Sequence, residues 1–392
     1  MLGDLFEGSL RVDPTAATPD ELARPPHPVP TCKGVVAFAD ADDRCISMLT
    51  AANIRRTAAH RLFAETTDQP HRRPEIAPLV RAIYYQCCHN DFATALKYLH
   101  AARALWPDSW QSMVSLPKTW FVRIDLSAEW PNFSLAEKPV FSASRRAFGP
   151  FPTRKAASRY ITALQTAFAL CKRPDLVDSP QKAAACPYLQ MGTCPAPCVG
   201  RISRQEYRGR IENAVEAAAG RPGAIADDLR RRMLHLAADR QFEQADLIKK
   251  RLQALDVLRE KDYLWTHDLA EFAILHIDRW ARSPSPDGKK RKLPACAGYL
   301  ILPGRIHLLD PFTPANAPQL VDALGSILDR ESQATVPDLT TQNLALLSYF
   351  CYRNNPPGLW LDCSTDSGGY KLPKAAIIAA RSEDLWKRKS EA

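Results

Sequence analysis

The chain has 392 residues, 46% of them apolar and 24% charged, with a formal net charge of +9 and 32 prolines against 16 glycines. That length suits two or three domains, each able to bury a core. No run approaches about 18 apolar residues, and residues 1–30 carry Asp4, Glu7, Asp13, Asp20 and Glu21 without an apolar stretch, so neither a membrane span nor a signal peptide is expected and the chain reads as cytoplasmic. In that compartment clustered cysteines point to metal or cluster ligands before disulfides. The positive balance permits nucleic-acid binding, and the placement of the charge decides whether it occurs.

Residues 1–30, rich in Pro and Ala and without periodicity, read as a disordered lead-in. Gly34–Ala39 reads as a strand, Asp40–Asp43 as a turn and Cys45–Leu49 as a second strand. Asn53 then opens a helix over Ile54–Phe63 that carries Arg55, Arg56 and Arg61, the start of a small α/β module over 31–125. A further strand begins at Leu116–Val122, and Trp120, Phe121, Trp130, Phe133 and Phe141 are expected in the core.

From Ser144 to Pro174 there are seven basic residues and no acidic one: Arg145, Arg146, Arg154, Lys155, Arg159, Lys172 and Arg173. Inside lies Phe148-Gly149-Pro150-Phe151-Pro152-Thr153, a turn leading into a helix from Thr153, which is a plausible cradle for phosphate. The run reads either as a DNA-facing segment, with Arg145, Arg146, Arg154, Lys155 and Arg159 as contacts, or as a solvated face.

Four of the eleven cysteines fall between Cys171 and Cys198 with the spacing C-x14-C-x7-C-x3-C, at Cys171, Cys186, Cys194 and Cys198. Flanking prolines stiffen this stretch, which suits a preorganised thiolate cage in a helical middle region over 126–220. On ligand count alone the set suits [4Fe–4S] or zinc. Zinc sites more often use paired C-x2-4-C knuckles, which are absent here. The other seven cysteines (Cys32, Cys45, Cys87, Cys88, Cys296, Cys351, Cys363) read as ordinary core residues.

Ser203 and Glu206 form a capping box for a helix that stops near Gly220. Two helices joined near Asp239-Arg240-Gln241 follow, over 221–260. Leu229, Met233 and Leu236 share one face of the first; Phe242, Ala245, Ile248, Leu252 and Leu255 share one face of the second. A two-helix unit with one apolar face needs another surface, either a partner's or its own domain's. Residues 261–392 read as a reduced α/β domain, with strands near Phe272–Ile277, Tyr299–Leu302 and Ile306–Leu309 and helices over Pro318–Arg330 and Leu339–Tyr349. Lys289-Lys290-Arg291-Lys292 reads as a solvated loop, and Asp362 and Asp366 as weak carboxylate candidates.

These motifs together resemble the bacterial excinuclease subunit UvrC and its short relative Cho. The front is similar to their GIY-YIG nuclease domain: Gly34-Val35-Val36, Phe38-Ala39-Asp40, then Ser47-Met48-Leu49-Thr50-Ala51-Ala52-Asn53-Ile54-Arg55-Arg56. The resemblance places Val36 and Ser47 at the family's two tyrosines and Tyr98 at its metal-binding glutamate, leaving Arg55 as a surviving transition-state clamp. Glu65 or Glu75 would have to supply a displaced carboxylate. The Phe148–Pro152 stretch, the Cys-Pro-Tyr and Gly-x-Cys-x-x-Pro-Cys motifs, and the hairpin match the family's middle region and UVR motif. The resemblance implies an iron–sulfur cluster on the four cysteines and a UvrB-like partner for the hairpin through Leu229, Met233, Phe242, Glu243, Ala245, Arg251 and Leu252. The expected fold is α/β (α+β) and multidomain. The expected function is that of a DNA- and UvrB-binding repair factor without nuclease activity of its own. The alternatives are an active Mg-dependent Cho-like endonuclease and a zinc-bearing UVR adaptor of a Clp-type ATPase.

Overall fold

The computed structural model describes residues 2–387 apart from 14–17, 24–27, 64–75, 141, 178–185, 192, 222, 285–291, 332–339 and 367–368. Its first sheet is antiparallel, with strand order β1-β4-β2-β3 for β1 (Gly8–Arg11), β2 (Gly34–Ala39), β3 (Cys45–Ala51) and β4 (Ala82–Cys87). Every residue of β2 is buried, because the sheet is covered on both faces. Helix α1 (Ile54–Phe63) closes one face over Val36 and Phe38; α2 (Asp91–Leu105) closes the other over Val35 and Ala37.

β1 corrects the expectation of a disordered lead-in over 1–30. Gly8–Arg11 pairs with β4 in register from Gly8↔Tyr85 to Arg11↔Ala82, and Leu2, Phe6, Leu22 and Val29 are buried. Four residues are too few to show a period, and the partner strand lies far along the chain.

The second sheet has order β6-β5-β7-β8, from β5 (Trp120–Asp125), β6 (Phe133–Ala136), β7 (Arg145–Phe151) and β8 (His267–Asp268). β5 therefore belongs with the middle unit, not with the module expected over 31–125. Helix α3 (Arg154–Ala167) packs on this sheet, capped by the Thr153 hydroxyl, which accepts from the Ala156 N–H at 3.1 Å. Helices α4 (Arg204–Ala218), α5 (Gly223–Ala238) and α6 (Phe242–Val257) follow, α4 capped by Ser203 as its sequence indicates.

A third antiparallel sheet, order β11-β10-β9-β12, is built from β9 (Ile274–Arg279), β10 (Cys296–Leu302), β11 (Arg305–Leu308) and β12 (Leu359–Asp362). Helices α7 (Ala317–Glu331) and α9 (Ala375–Lys387) cover one face. The other face meets α8 (Thr340–Cys351) and, from the opposite end of the chain, α2. Phe92 of α2 is fully buried, with ring centroids 4.8 Å from His276, 5.0 Å from Tyr299 and 5.4 Å from Phe350. Asn90 caps α2 through its side-chain oxygen and donates its amide to the Arg279 carbonyl at 3.0 Å and to Tyr299 Oη at 3.1 Å. The first and third sheets thus share one core. The architecture is α+β and multidomain, as the sequence indicates. Among the described residues no helix is long and apolar enough to cross a membrane.

Candidate thiolate centre and helical hairpin

Cys171 leaves the end of α3, Cys186 heads the short helix Pro187–Gln190, and Cys198 sits in the single turn Pro197–Val199, which ends at Gly200 with φ +71°. Cys171, Cys186 and Cys198 are buried and Cys194 is half-buried. The Cys171 thiol sits beside the Cys194 sulfur, which accepts the Ala196 N–H at 3.4 Å. These contacts, with Lys172 nearby, pull the Cys194 thiol below its usual range, while the same Cys194 contact and burial push Cys171 up. Cys186 and Cys198 share a small apolar cluster with Leu176. The donor set has the chemistry of a thiolate centre. Among the described residues no three His, Cys, Asp or Glu side chains converge on a metal position. Spacer residues 178–185 and Gly192 lie outside the described residues.

The hairpin is not free of its own chain. Leu229, Ile248 and Leu255 are buried in one core with α3 and α4, and Ala245 is buried as well. Arg251, expected at a partner interface, turns inward and donates Nε to the Ala167 carbonyl at 2.7 Å, placing a cation at the C-terminus of α3. Burial, with Arg232 and Arg210 nearby, brings its pKa down to about 10. Met233 and Leu252 are half-buried and line a 290 Å³ cleft beside α5 and α6. Phe242 and Glu243 face outward, Phe242 at 67% exposure, together with Leu234 at 64%. Leu234 and Leu247 were not singled out from the sequence, although their exposure marks the uncovered side of the pair.

Between the cysteine loop, α4 and the hairpin lies a cavity of about 780 Å³. Its walls include Thr193, Cys194 and Lys172 from the loop, Arg210 from α4, Arg231, Arg232 and His235 from α5, and Lys250 and Arg251 from α6.

The basic run is one-signed in sequence but not in space. Arg145 pairs with Asp125 at 3.0 Å, and Arg159 with Glu260 at 2.6 Å. Arg146 pairs with buried Asp268, and with Glu271 at 3.6 Å. Arg154 lies over the Trp120 ring at 5.5 Å. Of the five expected DNA contacts only Lys155 stands exposed with neither ion pair nor ring contact among the described residues. The partners come from segments far along the chain, which a local charge count does not register. Nor is the Gly149-Pro150 turn an open phosphate cradle: both residues are buried, and the Pro150 carbonyl accepts from Tyr352 Oη at 3.0 Å. Gly149 has φ +155°, and a Cβ there would stand 2.8 Å from Phe121 Cδ1, so its glycine answers to packing.

In the first module Val36 is fully buried. Ser47 pairs across from Phe38, on the α1 face with Val36 and Leu49. Arg55 Nε donates to the Val29 carbonyl at 2.7 Å, fastening the N-terminal segment to α1. Tyr98 lies on α2, across the sheet, with its hydroxyl 3.4 Å from the Met48 carbonyl. Glu65, Glu75 and Lys289-Lys290-Arg291 lie outside the described residues. Asp362 sits 3.5 Å from His267 Nε2. Cys32 and Cys87, expected as plain core thiols, form a disulfide with a Cα–Cα distance of 5.8 Å. Register brings them together, since Gly34 pairs with Cys87, across 55 positions of sequence.

The family described as UvrC/Cho excinuclease, middle domain, matches residues 120–217, the span from β5 to the end of α4. The UvrABC system protein C of Trichlorobacter lovleyi is 28% identical over 232 residues, 59% of this chain and 38% of that protein. That of Nitrobacter winogradskyi is 27% identical over 248 residues, 63% of this chain and 35% of that protein. That of Aromatoleum aromaticum is 28% identical over 240 residues, 60% and 38% respectively. The match thus spans little more than a third of these relatives' length. No solved structure matches the chain.

Proposed function

We propose that this chain, which is UvrC/Cho-like, acts in nucleotide-excision repair as a factor that binds DNA and a UvrB-like partner without cutting DNA itself. The observation that carries the reading is the state of the catalytic positions. Phosphodiester hydrolysis needs a positioned water, a base and a cation to meet developing charge. Val36 offers no proton acceptor, Tyr98 stands across the sheet, and Arg55 is bonded to a backbone carbonyl. The uncovered side of the hairpin, with Leu234 and Phe242, supports docking of a UvrB-like helical surface.

We assign the four cysteines a [4Fe–4S] cluster, zinc being the other group such a donor set takes. When bound, either group cross-links the loop, and iron–sulfur adds redox capacity. Cys171, Cys186, Cys194 and Cys198 would hold it, with the Ala196 N–H donating to one sulfur.

The nuclease test is direct. Purified chain with Mg²⁺ or Mn²⁺ on damaged duplex is expected to leave it intact. Robust nicking that disappears in Arg55→Ala overturns the non-cutting reading. Anaerobic purification with metal and sulfide analysis, on wild type and Cys194→Ala, tests the cluster. Stoichiometric zinc without colour would replace iron–sulfur by zinc, and no metal at all would remove the assignment.

A further inference from the structure

We propose that the cavity between the cysteine loop and the hairpin is the site where this protein grips a nucleic-acid phosphate backbone. The inference rests on the nucleic-acid reading above and moves its contact surface away from the basic run, whose charges are largely spent within the chain.

The sequence builds the cationic wall by helical spacing. On α5, Asp228, Arg231, Arg232 and His235 fall at i, i+3, i+4 and i+7, one stripe along the helix. On α6, Gln244, Leu247, Ile248 and Arg251 repeat the same spacing, and Lys250 lies beside them. Packing the two helices together brings both stripes to one hollow, and Arg210 of α4 and Lys172 of the loop close its far side.

Six lysine and arginine side chains therefore line about 780 Å³ against the single carboxylate of Asp228. Local pairing offsets part of this excess. Arg231 meets Asp228 at 3.5 Å, Lys250 meets Asp246 at 2.8 Å and Arg210 meets Glu206 at 3.0 Å. Arg232 has no ion pair among the described residues.

The floor is positive too. The α3 C-terminus would present unsatisfied carbonyl oxygens there, but Arg251 covers Ala167 and Arg210 Nη1 covers Ala169 at 3.2 Å.

The lining also says what kind of anion fits. It contains no Phe, Tyr or Trp, so it offers no large aromatic platform for a base. Cations spaced along two helices and a loop match a chain of phosphates better than one compact group, and they recognise backbone without sequence.

The test is salt-dependent binding of a short mixed-sequence duplex to the full chain, followed by fluorescence anisotropy. Arg231 and Arg232 are exposed, so the double variant Arg231→Ala/Arg232→Ala keeps the fold, checked by circular dichroism. It is expected to lose about tenfold or more in affinity, with the slope of log K against log salt shallower by about two. Arg145→Ala/Arg159→Ala is expected to leave that slope unchanged. Equal slopes for wild type and the Arg231/Arg232 variant overturn the inference while leaving DNA binding in place. Displacement of the duplex by inorganic triphosphate at matched phosphate concentration also overturns it, in favour of a small-anion site. Absence of any wild-type binding removes both this inference and the DNA-binding reading.

Discussion

Arg159 and Glu260 meet in a two-pronged contact, Nη1 to Oε2 and Nη2 to Oε1, each at 2.6 Å. Arg159 lies on α3 and Glu260 three residues past the end of α6, so the pair ties the end of the hairpin back to α3. Both groups are largely solvated, and an exposed pair of this kind contributes little to stability even with good geometry. Glu260→Gln is expected to move the thermal midpoint by no more than about 2 °C. A much larger fall in a melting curve would show that the pair holds the hairpin in place.

Arg251 is a different matter, because its partner is a helix-end carbonyl in a half-buried setting. Arg251→Ala removes a charged hydrogen bond and uncovers the Ala167 oxygen, a loss of about 2 kcal/mol. The urea midpoint should fall, and amide exchange should quicken along α6 while the first sheet stays protected. Unchanged exchange in α6 would mean that the apolar core alone seats the hairpin.

Phe92 tests the shared core. Phe92→Ala empties a site bounded by His276, Tyr299, Phe350 and Trp360 and should cost about 3–5 kcal/mol. Because both sheets contribute, the loss should appear as one cooperative transition shifted downward in denaturant. Separate unfolding of the first and third sheets in the wild type, followed by amide exchange in β2 and β9, would contradict a common core.

His276 and Asp278 give opposite pH signatures. Burial holds the imidazole at about 3 against 6.5 when free, so the unfolded chain gains a proton that the folded chain refuses. That contribution is full above pH 6.5 and is lost as pH falls toward 3. Burial raises Asp278 from 3.8 to about 6, so its contribution is present below pH 3.8 and lost as pH rises through 6. Asp278→Asn should therefore raise stability at neutral pH, and His276→Leu should flatten the fall on the acid side. Denaturation midpoints across this range check both; parallel curves for wild type and variants would refute the account.

Local pattern carried much of the fold. Helix α1 runs from Ile54 to Phe63 as read, the Ser203–Glu206 cap is in place, and the joint at Asp239–Gln241 separates α5 from α6. Each of these is decided by residues within a few positions of one another. What escaped depends on distant partners: β1 on β4, Cys32 on Cys87, and Asp125, Asp268, Glu271 and Glu260 on the basic run. The groove was half legible, since the Arg231/Arg232 stripe has helical spacing. Its facing wall required knowing that the loop after α3 folds back beside the hairpin. The core shared by α2 and β9 has no local signal, because Phe92 and His276 each look like ordinary interior residues.

That shared core also determines how the molecule tolerates being cut. A fragment ending at Asp268 would keep every strand of the first and second sheets. It would also expose Phe92, Leu96 and Leu99 of α2, which α8 and the third sheet now shelter. Such a piece would carry a greasy, unsheltered helix and would tend to self-associate, so a protease nick or a premature stop in the last third of the chain would disable the front of the protein as surely as a lesion there.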